Sequence, residues 1–307
     1  MPGVDLSVTV GPLRLKNPVM PASGTFGWAK EFAAFFDPAA LGAVVPKTIT
    51  LKPRAGNPPQ RVVETAGGML NAIGLQNPGV EVFARDYWPY LRSLDTVRIV
   101  NIAGETEADF AACAAAAAGL DGVDALELNT SCPNVDREGR IFGTDPDRTR
   151  AMVAAVRREV GRLPLIVKLT PNVTDVTTIG RAAMEGGADI LSLTNTLLGM
   201  AINADTGRPV IANVRGGLSG PAIKPVALRM VYDTVRTLKA PVIGIGGIRS
   251  GRDAAEFLMA GASAVQVGTA SFVDPSACMR IVTELADFLK GRGDGSAAAI
   301  IGLAHRG

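Results

Sequence analysis

The chain has 307 residues, of which 47% are hydrophobic and 20% charged, and its formal net charge at pH 7 is +2. A chain of this length and composition can bury one large hydrophobic core. The balanced charge, without a run rich in Lys or Arg, argues against a nucleic-acid-binding protein. No apolar stretch approaches the length that spans a bilayer, and the first residues lack the pattern of a signal peptide, so we expect a cytoplasmic protein that acts on small molecules.

The three cysteines, Cys113, Cys132 and Cys278, lie far apart and include no C-x-x-C pair. Their spacing argues against a disulfide framework, a zinc site or an iron–sulfur cluster within this chain. Cys113 and Cys278 fall in predicted helices, where we interpret them as packing residues. The single histidine, His305, is close to the C-terminus, which argues against histidine acid–base chemistry or a His-ligated metal in the core.

Short apolar runs rich in Val and Ile alternate with amphipathic helical patterns along the whole chain. There are about eight such runs, the number that a β/α barrel requires. We therefore predict an α/β protein with one domain, residues 1–307, folded as a single (β/α)8 TIM barrel. The predicted strands are Pro18 to Pro21, Ala43 to Pro46, Val97 to Ile102, Ala125 to Leu128, Leu165 to Leu169, Ile190 to Leu193, Pro241 to Ile245 and Ala264 to Val267. The predicted helices are Thr106 to Ala118, Asp147 to Val160, Thr174 to Glu185, Lys224 to Leu238, Ser250 to Met259 and Pro275 to Leu289.

Two long loops interrupt this alternation. Leu51 to Pro78 follows the second predicted strand, and Leu197 to Pro221 follows the sixth. Loops of this length inside a compact domain usually serve function. Because both follow strands, we expect them to cover the C-terminal face of the barrel, where barrel enzymes build their active sites.

The residues at the predicted strand ends are strongly polar or glycine-rich. Glycine-rich turns after strands seven and eight of a barrel often bind phosphate through backbone N–H groups and helix N-termini. The chain has no Walker or Rossmann glycine motif, so a mononucleotide phosphate is favoured over ATP or NAD. The residues at these ends are Ser23, Lys47, Thr48, Asn101, Asn129, Lys168, Thr194, Asn195, Thr196, Gly246, Gly247, Gly268 and Thr269.

Lys168 stands among apolar residues in a predicted strand, so its ammonium needs an anionic partner. Flavin mononucleotide (FMN) meets this need if its phosphate occupies the glycine-rich ends and its ring, which becomes anionic on reduction, lies beside Lys168. A Schiff-base lysine, as in barrel aldolases, is the competing hypothesis for the same residue. An aldolase would require neither a flavin nor Cys132.

Cys132 lies between Asn129 and Asn134, just beyond the fourth predicted strand. Pro133 ends regular hydrogen bonding there, which predicts a loop, and loops of this kind carry catalytic residues. Most cysteines are small buried hydrophobes. The polar neighbours of Cys132 instead offer donors and acceptors to a flat polar ligand, so we interpret it as catalytic.

Five motifs occur in a specific order along the chain: Lys47-Thr48, Gly68 to Gly79, Asn129 to Asn134, Gly217 to Pro221 and Gly246-Gly247. Taken together, they resemble the dihydroorotate dehydrogenase family over nearly the whole chain. Within this resemblance, a cysteine where the membrane-linked class has serine indicates the soluble class. Met69 to Asn77 and Phe142 to Pro146 are similar to the NAD-linked subclass (1B).

The resemblance implies oxidation of dihydroorotate to orotate, with Cys132 as the general base and Lys168 beside FMN. It also implies a partner subunit that carries FAD and a [2Fe–2S] cluster and passes electrons to NAD, in a heterotetramer built on a dimer of catalytic chains. The implied FMN contacts are Ser23, Lys47, Thr48, Asn101, Asn129, Lys168, Thr194, Gly220, Gly246, Gly247, Gly268 and Thr269. The implied substrate contacts are Lys47, Asn71, Ala72, Ile73, Gly74, Leu75, Asn129, Asn134, Asn195 and Thr196.

Several alternatives remain open from the sequence. The chain is also compatible with the fumarate-linked soluble class, or with another FMN barrel oxidoreductase acting on a reduced pyrimidine. Examples of the latter are a dihydropyrimidine dehydrogenase domain and a tRNA dihydrouridine synthase, although a tRNA enzyme would need a basic surface. A non-redox phosphate-binding barrel would purify colourless. A catalytically silent scaffold is disfavoured by the density of polar strand ends.

Overall fold

The computed structural model describes residues 3–130 and 142–306. Eight parallel strands form one sheet. The strands are β1 (Val19–Pro21), β2 (Ala43–Val44), β3 (Val97–Ile102), β4 (Ala125–Asn129), β5 (Leu165–Leu169), β6 (Ile190–Leu193), β7 (Val242–Ile245) and β8 (Ala264–Val267). Strands that are consecutive in the chain are neighbours in the sheet, and the spatial order is β1-β8-β7-β6-β5-β4-β3-β2.

The sheet closes between its first and last members. Beside β2, the Gly42 N–H donates to the Val19 carbonyl of β1 at 3.0 Å, and Asn17 Oδ1 accepts from the same N–H at 3.1 Å. A Cβ at residue 42 would lie 1.9 Å from the Asn17 carbonyl oxygen, so only glycine fits at this junction. The structure therefore confirms the predicted α/β barrel.

The helices lie between the strands, and local capping determines where they begin. Thr106 and Ser250 are N-caps in capping boxes with Asp109 and Asp253, so each helix starts one residue after the predicted first residue. The longer helices are Glu107–Ala118, Pro146–Val160, Val176–Glu185, Lys224–Leu238, Gly251–Met259 and Ala277–Arg292. Shorter helical segments are Lys30–Ala34, Pro38–Ala40, Val80–Val82, Phe83–Tyr87, Trp88–Ser93, Phe142–Thr144, Pro221–Ile223, Ala270–Val273, Ala297–Ile300 and Leu303–His305.

Two features are additions to the predicted elements. An antiparallel hairpin, Val8–Val10 with Leu13–Leu15, places its alternate apolar residues against the first residues of the barrel strands. Its turn residue Gly11 lies so close to β6 that a Cβ there would be 2.9 Å from Ile190 Cγ1. The second addition is the helical stretch from Val80 to Ser93 between β2 and β3. The hairpin closes the amino end of the barrel, so the opposite end is the open one.

The two long loops pair with each other over the carboxyl ends of the barrel strands. Their four strands form one antiparallel sheet in the order Leu197–Gly199, Gly216–Ser219, Gly68–Asn71 and Val62–Thr65. Gly217 lies opposite Asn71 in this sheet. A further short hairpin, Ile202–Asn203 with Arg208–Pro209, extends the second loop. In the described ranges, no helix is both long and apolar enough to cross a lipid bilayer.

Candidate active site

A cavity of about 1460 Å³ lies at the carboxyl ends of the barrel strands, under the paired long loops. Its lining residues come from positions 22 to 280 of the chain, and most of the sequence-predicted cofactor and substrate residues are among them. Those residues are Ser23, Lys47, Thr48, Asn71, Ile73, Gly74, Leu75, Asn129, Lys168, Thr194, Asn195, Thr196, Gly220, Gly246, Gly247, Gly268 and Thr269. The barrel topology thus brings together side chains that are distant in sequence.

Four candidate residues are not among those that line this cavity. Asn101 and Ala72 are fully buried beside it. Cys132 and Asn134 lie outside the described residues. The sequence places Cys132 three residues after Asn129, the last residue of β4.

The floor of the cavity rests on a buried polar network centred on Glu127 of β4, which has no solvent exposure. Glu127 Oε1 accepts from Asn101 Nδ2 at 2.5 Å and lies 3.8 Å from Lys168 Nζ. Glu127 Oε2 accepts from Ser192 Oγ at 2.9 Å and from Gln266 Nε2 at 2.7 Å. Lys168 Nζ also donates to Gln266 Oε1 at 3.5 Å. Side chains from four other strands therefore meet at this one carboxylate.

This network supplies the anionic partner that Lys168 requires. The sequence predicted a bound flavin in that role, but a carboxylate of the chain itself already balances the charge of the ammonium. A signal for Glu127 was present in the sequence, since an acidic residue between Leu126 and Leu128 in a buried strand also needs a partner. Strand register decides the pairing: Asn101 is directly opposite Glu127, and Lys168 is directly opposite Ser192.

Hydroxyl and amide groups form one polar wall of the cavity. Asn195 Nδ2 donates to Asn129 Oδ1 at 3.1 Å, which joins the ends of β6 and β4. Across the barrel, the Ser23 hydroxyl donates to the Pro46 carbonyl at 2.9 Å and lies 3.1 Å from Thr48 Oγ1. These contacts hold side chains in place that can pair with the edges of a flat polar ring.

Glycines form another part of the cavity wall, at the ends of β7 and β8 and at Gly220. Gly246 and Gly247, directly after β7, have φ values of 131° and 72°, and Gly220 has a φ of 96°, all in the region that favours glycine. A Cβ at Gly246 would lie 2.6 Å from Ala227 Cβ. Packing within the protein therefore explains Gly246.

Gly268 is different, because the surrounding protein does not require a glycine there. Its φ lies outside the left-handed region, and an added Cβ would meet only Ala22 Cβ at 3.5 Å and Thr25 Cγ2 at 3.7 Å, which are ordinary contacts. The residue nevertheless lines the cavity. A bare backbone at this point leaves room for a ligand to lie directly against the chain.

The helix Gly251–Met259 starts beside the glycine wall, but its first N–H groups are already occupied. Asp253 Oδ2 accepts from the backbone N–H groups of Arg249 and Ser250 at 2.9 and 3.0 Å, and Glu284 Oε2 accepts from Gly251 at 2.7 Å. The backbone N–H groups of Arg249, Ser250 and Gly251 are therefore already paired within the protein, and anion binding at this helix end stays a prediction. The turns Gly246–Gly247 and Gly268–Thr269 remain as the candidate anion site.

Charged residues that the sequence analysis missed line the cavity near the glycine wall, namely Arg249, Asp253 and Arg280. Lys224 forms ion pairs with both Asp253 and Glu256. Burial raises the pKa of Asp253, but hydrogen bonds from Lys224, Arg249 and Ser250 outweigh burial and hold that pKa below its ordinary value. Asp253 and Arg280 lie on helices and reach the cavity through helix packing, so nothing local in the sequence marks them. Arg249 lies on the loop between β7 and the helix Gly251–Met259.

Asn172 is another residue that the sequence analysis missed. Its Nδ2 donates to the Thr196 carbonyl at 3.1 Å, and its Oδ1 accepts from the Leu198 N–H at 2.8 Å. The same side chain also contacts Thr170 Oγ1 at 3.1 Å. Asn172 thus fixes the start of the second long loop, including the backbone of the candidate substrate residue Thr196.

The other two cysteines lie away from the cavity, in the packing positions expected for them. Cys113 and Cys278 are fully buried in helices, and burial raises the pKa of each thiol to about 12. His305 stacks on Tyr232 with ring centroids 4.2 Å apart, and its Nε2 lies 2.9 Å from the Ala260 carbonyl oxygen. Within residues 3–130 and 142–306, no cluster of three or more His, Cys, Asp or Glu side chains could hold a metal ion.

Comparison with known proteins agrees with this architecture. The family model for dihydroorotate dehydrogenase matches residues 5–289. A protein from Geobacter sp. (strain M21), named dihydroorotate dehydrogenase B (NAD(+)), catalytic subunit, is 53% identical over 298 residues, which cover 97% of each chain. A protein of the same name from Trichlorobacter lovleyi is 54% identical over 297 residues, which cover 97% of each chain. Another of that name, from Desulforudis audaxviator, is 51% identical over 303 residues, which cover 99% of this chain and 98% of the relative. The chain belongs to the dihydroorotate dehydrogenase family.

Proposed function

We propose that this chain oxidises dihydroorotate to orotate in pyrimidine biosynthesis, using FMN bound in the cavity at the carboxyl ends of the barrel strands. Electrons then pass to a partner subunit that carries FAD and a [2Fe–2S] cluster, and from there to NAD. Family membership supports the reaction, and the names of the relatives support a separate partner subunit. The observation that carries the proposal is that Lys168, the paired asparagines and the glycine wall all line one cavity.

The residues around this cavity fit FMN. The volume of about 1460 Å³ is enough for both a cofactor and a small substrate. Gly268 has a bare backbone that the protein itself does not require, as expected where a ligand lies against the chain. Buried Oδ1 of Asn101 has no partner in the part of the chain that the structure describes, and an unpaired buried acceptor is characteristic of a ligand site. We propose that Ser23, Thr48, Asn101, Asn129, Lys168, Thr194, Gly220, Gly246, Gly247, Gly268 and Thr269, together with Lys47, hold the cofactor.

The substrate is a flat ring edged with amide groups and bearing a carboxylate. The Asn129–Asn195 pair supplies amide donors and acceptors that match ring N–H and C=O groups, and Lys47 supplies a cation for the carboxylate. Asn71 and Thr196 stand on the two long loops that cover the cavity. We propose that these residues, with Ala72, Ile73, Gly74, Leu75 and Asn134, bind and orient dihydroorotate.

The reaction removes a proton from C5 and a hydride from C6 of dihydroorotate. When bound, FMN supplies the acceptor for the hydride. Cys132 takes the C5 proton as general base, a role proposed from its sequence position after Asn129. The ordinary thiol pKa is about 8.5, so turnover should increase with pH towards that value unless the site lowers the pKa. The ammonium of Lys168 stabilises negative charge that develops in the cavity.

The test is an anaerobic titration of the purified chain with dihydroorotate, followed by flavin absorbance. The proposal predicts a yellow protein whose flavin absorbance is lost on titration. The variant Cys132→Ser should still bind substrate but lose most of the reduction rate at pH 7, whereas the matched variant Cys278→Ala should reduce normally. Reduction at the parent rate by Cys132→Ser would contradict the base assignment.

The electron acceptor is tested separately. Turnover with NAD should require an added partner subunit, and fumarate should not replace it. Turnover with fumarate would instead assign the chain to the fumarate-linked soluble class. A yellow protein that dihydroorotate leaves oxidised would contradict the substrate, and other reduced pyrimidines would be tried. The proposed dimer of catalytic chains within a heterotetramer is checked by the mass of the complex in solution.

A further inference from the structure

Glu127 and Lys168 form an ion pair beneath the cavity that is far more buried than the other ion pairs among the described residues. Glu127 and Lys168 are 0% and 6% exposed, whereas Lys224 and Asp253, the next most buried pair, are 22% and 14% exposed. Only Lys168 of the two reaches the cavity lining. The pair therefore has one member facing a ligand and one member facing the barrel interior.

The carboxylate of Glu127 is held by more than its ion pair. Each oxygen accepts at least one hydrogen bond of 2.9 Å or less, from Asn101, Ser192 and Gln266. These partners stand on β3, β6 and β8, so the carboxylate position is determined by the barrel wall. A carboxylate held by this many donors does not move readily.

The ammonium of Lys168 is held much more loosely. Its Nζ is 3.8 Å from Glu127 Oε1 and 3.5 Å from Gln266 Oε1, both at the long limit of direct contact. An ammonium has three donors, and these two contacts leave it able to donate towards the cavity. Glu127 thus balances the charge of Lys168 without capturing its hydrogen bonds.

We propose that Glu127 is the positioning residue for Lys168: it balances the charge of this lysine and holds it directed into the cavity, and through Lys168 it sets the redox balance of the bound flavin. This inference rests on the proposed FMN site. Without the carboxylate, a desolvated ammonium loses its proton more readily. Glu127 itself makes no contact with the cavity contents, so all of its effect passes through Lys168.

The experiment compares the midpoint potential of bound FMN between pH 6 and pH 9 in the parent holoenzyme, Glu127→Gln, Lys168→Met and the double variant. Glutamine has the same shape as glutamate, and the neighbouring amides and hydroxyl can reorient to pair with it. In Glu127→Gln near pH 6, the ammonium of Lys168 is unbalanced and favours the reduced flavin. We therefore expect the equilibrium between oxidised and reduced flavin to shift at least tenfold towards the reduced form, which is about 30 mV for two electrons. The shift should disappear as pH rises and Lys168 loses its proton.

The double variant separates the lysine from other titrating groups. The remaining charged side chains around the cavity are Lys47, Glu64, Arg249, Asp253, Asp274 and Arg280. These groups, the FMN phosphate and Cys132 are common to all four proteins, so their titrations cancel in the comparison. We expect the double variant to follow Lys168→Met at every pH. A Glu127→Gln curve parallel to the parent, or a shift that persists without Lys168, would overturn the inference.

Two further outcomes are decisive. If Glu127→Gln does not fold, recovery of folded protein in the double variant supports the coupling, because removing both charges relieves the unpaired ammonium, and failure of both variants overturns it. If the parent binds no FMN, the proposed function fails. The coupling between Glu127 and Lys168 is then measured from the free energies of unfolding of the same four proteins in urea. Failure of the proposed function and failure of this inference are therefore distinguishable.

Discussion

The substitution Gly268→Ala tests whether glycine at this position is required by packing within the protein or by a bound ligand. The added Cβ would lie 3.5 Å from Ala22 Cβ and 3.7 Å from Thr25 Cγ2, both normal van der Waals distances, and the backbone φ is one that alanine adopts. Replacing glycine in such a position usually raises the free energy of unfolding by about 0.4–1 kcal/mol, because the unfolded chain loses freedom. The apoprotein should therefore be unchanged or slightly stabilised.

Ligand binding should respond in the opposite direction. Gly268 lines the cavity, so the new methyl group would take space that we assign to FMN. A displacement of the cofactor from this wall would cost at least about 1.4 kcal/mol, which is a tenfold weaker Kd. Flavin fluorescence during titration of the apoprotein gives that Kd, and urea unfolding of the apoprotein gives the stability.

The matched control is Gly246→Ala on the same wall. Its φ of 131° is strained for alanine, and the Cβ would overlap Ala227 Cβ at 2.6 Å. Strain and overpacking together should lower the free energy of unfolding by roughly 2–5 kcal/mol even without ligand. If Gly268→Ala destabilised the apoprotein by a similar amount, or bound FMN as tightly as the parent, the assignment of Gly268 to the cofactor wall would be refuted.

Three further outcomes follow from the buried groups. Burial raises the pKa of Cys113 and Cys278 from 9.0 to about 12, so the native state keeps protons that the unfolded state loses. The free energy of unfolding should therefore fall between pH 9 and pH 12, by about 1.4 kcal/mol per thiol at pH 10. Alkaline urea unfolding should show a smaller loss in the double alanine variant; an identical loss would contradict these shifts. Asn172→Ala should raise the KM for dihydroorotate while leaving FMN affinity within twofold, because it removes the hydrogen bond to the Thr196 carbonyl. An unchanged KM in steady-state assays would contradict a role of Asn172 in holding Thr196. Glu127→Ala should cost about 3–5 kcal/mol in urea unfolding, since it leaves a buried ammonium unpaired, and a cost below 1 kcal/mol would show that the ammonium finds another partner.

The barrel was predictable because its strands are buried on both faces and so read as continuous apolar runs. The strand Leu165–Leu169 has the predicted bounds, and the helix Lys224–Leu238 also matches, since both ends are marked by composition. The amino-terminal hairpin was missed because its two strands have only three residues each, Val8–Val10 and Leu13–Leu15. Runs this short carry too little periodicity to distinguish a strand from a loop.

The candidate site was predictable at the strand ends and not elsewhere. A parallel barrel brings every carboxyl end to one face, so polar residues that follow strands gather there whatever their separation in sequence. Asp253 and Arg280 reach the same cavity from helices, and their approach depends on helix packing angles that no local pattern encodes. The pairing of the two long loops through Asn71 and Gly217 likewise depends on contacts between segments almost 150 residues apart.

Lys168 shows how far a physical argument from sequence can reach. Burial in an apolar strand correctly predicted an anion near the ammonium. The sequence pattern alone does not distinguish a bound ligand from a side chain on the neighbouring strand. Register decides this: Lys168 is opposite Asn129, and Glu127 stands two residues earlier on that strand, on the same inward face. Because the pair is neutral as a whole, Lys168 can offer hydrogen bonds to the cavity without imposing a net charge on it. A lysine held in this way still stabilises negative charge on the proposed cofactor, but less strongly than an unbalanced ammonium would.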